Sequence, residues 1–220
     1  MRSLFSMIAG CMALLAMSAA GPALAQVTVI HAGSVLADAE SEPSGPATIT
    51  VSEGRIVSIE EGHRTPTGEV RVIDLADKTV LPGLIDLHVH LTGDPGGDYR
   101  QGTVDTEEYA TVVGTKNARI TALAGFTTVR EAGSGETTAF ALRRGTAEGL
   151  IPGPRIVAAG PPLSIVGGHG DITGFRPEIL DLFANPFTCT GPVECAEKVR
   201  RAAQRGSDVI KITATGPVQV

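Results

Sequence analysis

The chain has 220 residues, 42% of them apolar and 19% charged, so it carries enough apolar material for a sizeable core and does not read as disordered. A net charge of -6, two Tyr, six Phe and no Trp, with no long Lys/Arg run, exclude the basic, aromatic-laced surface of a nucleic-acid partner.

Residues 1–25 read as a secretory signal: Arg2 is a thin positive start, residues 7–20 are apolar, and Ala23-Leu24-Ala25 is an A-x-A site before Gln26. The apolar run is short for a spanning helix, which needs about 20 residues. An exported protein is expected, periplasmic or secreted, with no stable membrane anchor after cleavage. Cys11 sits in a stretch like a lipoprotein box, but most of the apolar run follows it, so it is discarded with the signal. Cys189 and Cys195 remain in a compartment that permits disulfides. Their spacing is open to a small-loop disulfide or to two thiols, and it is not a metal-binding C-x-x-C.

From residue 26 to residue 80 short alternating apolar runs predict an all-β unit, with strands over 27–30, 47–51, 55–60 and 70–75 and turns at Gly54, Gly62 and Gly68. Pro82-Gly83 marks a boundary, and the texture changes over 81–220. Strands are predicted over 84–90, 126–130, 154–159 and 208–213, and helices over 105–124, 136–148 and 192–204, the last closed by basic residues before Gly206. Repeated βα units predict a parallel sheet with helical crossovers. Residues 160–192, rich in Gly and Pro, read as one long loop. Four units fit half of a (β/α)8 barrel, which takes about 250 residues in full. A small doubly wound sheet with an extra β domain fits the element count as well.

In Leu84-Ile85-Asp86-Leu87-His88-Val89-His90, alternation puts Asp86, His88 and His90 on one face and the three apolar residues on the other. Both histidines lie at the strand's C-terminal end, where barrels keep their active sites. Neutral imidazole suits zinc and similar divalent ions, and an i, i+2 pair can present two nitrogens to one cation. Lys211 interrupts an apolar run, Val209-Ile210-Lys211-Ile212, that reads as buried on both faces. A buried, unpaired ammonium is costly, which points to a chemical role for it beside the histidine pair.

LPGLIDLHVH (81–90), GFTTVREAG (125–133), GGHGD (167–171) and DVIKITATG (208–216), in that order, resemble the amidohydrolase superfamily, in its imidazolonepropionase-related and Xaa-Pro dipeptidase-like branch. The resemblance implies an α/β fold, the first half of a (β/α)8 barrel preceded by part of a small β-sandwich. It implies a metal-dependent hydrolase of amide C–N bonds, acting on a small peptide-like or cyclic amide. His88 and His90 match the family's first metal ligands. Lys211 matches the lysine that carbon dioxide converts to a metal-bridging carbamate. The metal is expected to be zinc, in a binuclear centre. His169 matches a loop histidine near the substrate, and it can equally serve only to hold turns among glycines. His31 and His63 match nothing and are expected to be solvated.

Two departures stand out. Where the family commonly has Arg-Asp this chain has Arg130-Glu131, one methylene longer, which leaves Glu131 either a hydrogen-bonding partner of the site or a surface ion pair with Arg130. The family's histidines from strands five and six, and the proton-accepting aspartate from strand eight, have no counterpart here. The chain is therefore expected to lack activity alone, as the N-terminal part of a longer enzyme. The alternative is a non-catalytic exported metal-binding protein that dimerises, as a homo-oligomer, through open barrel edges.

Overall fold

The computed structural model describes residues 27–96 and 103–216; the expected signal, 1–25, lies outside the described residues. The chain divides into two compact units, Met1–Pro82 and Gly83–Val220.

The first unit is a four-stranded sheet of β1 (Thr28–Val35), β2 (Ala47–Ser52), β3 (Arg55–Glu61) and β4 (Arg71–Val80), in the order β3-β2-β1-β4. β1–β2 and β2–β3 are antiparallel, and β1–β4 is parallel. Glu53 and Gly54, at φ 51° and 72°, form a two-residue hairpin loop between paired Ser52 and Arg55. Ala32, Val35, Ala47 and Ile49 form the core. β1 and β4 outrun their predicted ends because Gly33 lets the strands close at a register shift; a Cβ there would lie 2.3 Å from Ala76 O.

In the second unit, three parallel strands form one sheet, β5 (Leu84–Val89), β6 (Phe126–Glu131) and β7 (Arg155–Ala158). Between them run α1 (Glu107–Leu123) and α2 (Thr138–Ala147). α1 starts where Thr106 accepts a hydrogen bond from Tyr109 N, with Glu107 and Glu108 in its first turn, a favourable charge for a helix N-terminus. Leu91, Ala118, Val129, Ala139, Leu142, Ile156 and Ala158 make the core between sheet and helices.

Two expectations are corrected here. Residues 160–192 are not one loop: they hold β8 (Leu163–Ile165), α3 (Pro177–Leu182) and β9 (Thr188–Cys189), ahead of α4 (Gly191–Arg205). The strand expected over 208–213 shrinks to β10 (Ile212–Thr213), which pairs with β8 in a second parallel sheet, β10-β8-β9. The cause is Asp208. Its carboxylate, 2.8 Å from Ala158 N, takes the place of a strand carbonyl, while Asp208 N donates to Ala158 O. β7 ends there, and Leu163 N instead donates to Lys211 O. Leu163, Phe187 and Ala202 form a smaller core beneath this sheet. Cys189 and Cys195 are joined in a disulfide, which settles the alternative left by their spacing.

Candidate metal centre

β5 carries the histidine pair to its end. The His88 and His90 rings meet edge to face, with centroids 5.3 Å apart. Val89, between them, packs on the core. Ile85 and Leu87, placed by alternation on the same face as Val89, are 62% and 58% exposed; β5 is the edge strand and has a neighbour on one side only. Asp86 is engaged locally: its Oδ1 accepts from His88 N at 2.9 Å.

His90 is fixed by the neighbouring strand end. Its Nδ1 lies 2.8 Å from Gly133 O. A carbonyl can only accept, so Nδ1 carries the proton and Nε2 of the neutral ring keeps a free lone pair. Beside it is Glu131, fully buried, with Oε2 accepting from Leu91 N at 2.5 Å, Oε1 accepting from Gly133 N at 3.4 Å, and Oε1 3.6 Å from His90 Nδ1. Burial pushes the Glu131 carboxyl above its ordinary range, against the pull of the Leu91 N–H, the His90 ring and the Gly133 N–H. Of the two roles left open for Glu131, the surface ion pair is thereby excluded. Arg130 points its Nε at Leu87 O, 2.7 Å away. The burial of Glu131 was readable from alternation, since it shares a strand face with the core residue Val129.

Lys211 is only half-buried, not enclosed on both faces as its run suggested, because Ile212 beside it is 62% exposed. It lines a cavity of about 280 Å3 together with His88, Arg130 and Leu87. The Lys211 charge, followed by burial, His90 and Arg130, holds the His88 imidazole below its ordinary range, with Asp86 opposing. A neutral ring is the form that ligates a cation. His169 does not line this cavity. Its backbone N–H donates to Thr215 O at 3.2 Å, and Asp171 closes its loop by accepting from Gly167 N at 2.8 Å. His31 and His63 belong to the first unit. They are not simply solvated: their rings stack at 5.0 Å, and each Nε2 meets a backbone carbonyl, of Arg64 and Ala32 respectively.

Among the described residues no group of three or more His, Cys, Asp or Glu side chains is gathered for a metal ion. The donors at hand are two imidazoles, with a lysine amine on the cavity of one of them. That chemistry fits part of a divalent-cation site, to which a carboxylated lysine would add an anionic oxygen.

Parallel βα units with an imidazole pair at a strand end define an α/β protein. The chain belongs to the amidohydrolase family, whose sequence pattern matches residues 79–220. It is 33% identical over 218 residues to the ochratoxinase of Aspergillus niger, covering 88% of this chain and 43% of that protein. A dihydroorotase of Anaeromyxobacter sp. (strain K) is 34% identical over 91 residues, 41% of this chain and 20% of that one. Among solved structures, a Xaa-Pro dipeptidase with bound methionine in the active site aligns with a TM-score of 0.76 and 33% identity, over 85% of this chain and 47% of that one. The A. niger ochratoxinase structure aligns with a TM-score of 0.66 and 26% identity, over 87% and 47%. The chain spans about half the length of the relatives and structures it matches over most of its own length.

Proposed function

We propose that this chain is one part of an exported, metal-dependent hydrolase of amide C–N bonds acting on a small peptide-like or cyclic amide, and that its second unit forms the first strands of a (β/α)8 barrel preceded by part of a β-sandwich. The observation that carries the reading is the imidazole pair at the end of β5, with His90 Nδ1 held 2.8 Å from Gly133 O. Relatives named as ochratoxinase, dihydroorotase and Xaa-Pro dipeptidase support the reaction class.

In this reading His88 and His90 offer ring nitrogens to a divalent cation, zinc suiting them best. The neutral Lys211 amine attacks carbon dioxide; an N–C bond forms, the amine gives up one proton to solvent, and the carbamate left behind supplies an anionic oxygen. A divalent cation held there would supply Lewis acidity toward the amide carbonyl and acidity to a nearby water. His169 donates a hydrogen bond to the substrate's carbonyl or carboxylate. No carboxylate lines the cavity among the described residues, and in this reading the proton acceptor is supplied by further polypeptide. The 220-residue chain alone is expected to bind metal without turnover.

The exposed apolar residues of the β5 edge favour a second reading, a non-catalytic metal-binding protein that forms a homo-oligomer through that edge. The test is to incubate the purified chain with zinc, cobalt or manganese and assay Xaa-Pro dipeptides, N-acyl amino acids and cyclic amides against a metal-free blank, with its mass in solution measured in parallel. Metal binding without hydrolysis is expected. Hydrolysis above the blank would refute the need for further polypeptide. No metal binding would refute the centre, and a folded dimer with bound metal would favour the second reading.

A further inference from the structure

Glu131 is a carboxylate with no exposed surface, placed where the chain departs from the family's usual aspartate, and nothing in amide hydrolysis calls for it directly. Its two oxygens reach the backbone on both sides of His90: Oε2 takes the N–H of Leu91, the residue after His90, and Oε1 faces the N–H of Gly133. The carbonyl of that same Gly133 holds His90 Nδ1 at 2.8 Å. Gly133 must come close to do so, since a Cβ on it would sit 3.1 Å from His90 Cε1. The end of β7 fixes the backbone of the acid in turn, because Ala159 N donates to Glu131 O.

We infer that Glu131 is a positioning residue for His90. It ties the ends of β5 and β6 together so that Gly133 O selects the Nδ1–H tautomer and leaves Nε2 free toward the cation. The extra methylene of glutamate supplies the reach to Leu91 N from a strand neighbour. A buried acceptor between two backbone N–H groups is expensive to remove, because both donors would then lack partners. The orientation of a metal-binding imidazole is commonly set by such a partner on its other nitrogen.

The inference rests on the proposed metal centre, but its main readout needs no metal. Long-range proton–nitrogen NMR of the metal-free full chain, with the His90 signal assigned by its loss in His90→Asn, reads the tautomer directly. Wild type is expected to show Nδ1–H for His90. Glu131→Leu fills similar space without an acceptor; it should mix the tautomers and weaken zinc binding by roughly 10- to 100-fold. Glu131→Gln keeps one acceptor for Leu91 N–H and should recover part of both. An Nε2–H tautomer in wild type would overturn the inference, as would Glu131→Leu with unchanged tautomer and zinc affinity. Should Glu131→Leu not fold, an unchanged tautomer and affinity in Glu131→Gln would overturn it equally. Failure of wild type to bind zinc would sink the metal centre, and the tautomer readout would still decide the role of Glu131.

Discussion

His90 and Lys211 reach the candidate centre by different means. His90 follows directly on β5, and β5 and β6 are six residues each and lie against a core of Leu91, Val129 and Leu142. Lys211 precedes a strand of only two residues, and its backbone is held by a few hydrogen bonds: Leu163 N to its carbonyl, a pair between Asp208 and Ala158 just upstream, and Thr213 to Leu163 O just downstream. One candidate position is fixed by packing, the other by a few polar contacts. A site assembled this way has a rigid half and a half whose geometry depends on individual side chains.

The largest expected effect strikes the packed half. Leu142 is 1% exposed and packs against Gly114 of α1, so Leu142→Ala should cost about 2 to 5 kcal/mol. Thermal melting of the full chain checks this, and a loss well under 1 kcal/mol would contradict a core-fixed β5. Next, reducing Cys189–Cys195, which closes a short loop between β9 and α4, should cost about 2 kcal/mol. Hydrogen exchange should then quicken in β8 and β9 but not in β6; equal quickening in both sheets would erase the difference between the two halves. Removing the Asp208 carboxylate as Asp208→Ala leaves Ala158 N without its partner and should cost about 1 kcal/mol. The Ala158 amide should exchange faster and the cavity shared by His88 and Lys211 should loosen, while the His90 tautomer stays as it was.

The smallest effect is electrostatic. Lys116, with Asn117 behind it, holds the Asp94 carboxyl below its ordinary value of 3.8. A depressed folded value means the contribution is present above pH 3.8 and is lost as pH falls through that lower value. In Lys116→Met the Asp94 midpoint should rise toward 3.8, as read by carboxyl NMR; no movement would show that the pair carries no weight.

The packed half was also the more legible in the sequence. Period-two alternation and Gly turns gave β5, β6, α1 and α2 to within a few residues, because their apolar faces answer to one core. The same alternation placed His88 and His90 at a strand end. It failed around Lys211, where a β-branched run looked like a buried strand. There the outcome was decided by Asp208 capping β7 and by Leu163 arriving from a segment read as loop, contacts between residues about fifty apart that no local pattern encodes. The exposure of Ile85 and Leu87 was not legible for a related reason: alternation tells which face a side chain takes, and not whether anything covers that face.

The central claim is that His88 and His90 together hold a divalent cation. Its most direct test is calorimetric titration of zinc into the metal-free chain, wild type beside the double variant His88→Asn/His90→Asn. Saturable binding is expected in wild type and is lost in the folded double variant. Binding that survives the double substitution unchanged, or no binding in wild type, would contradict it.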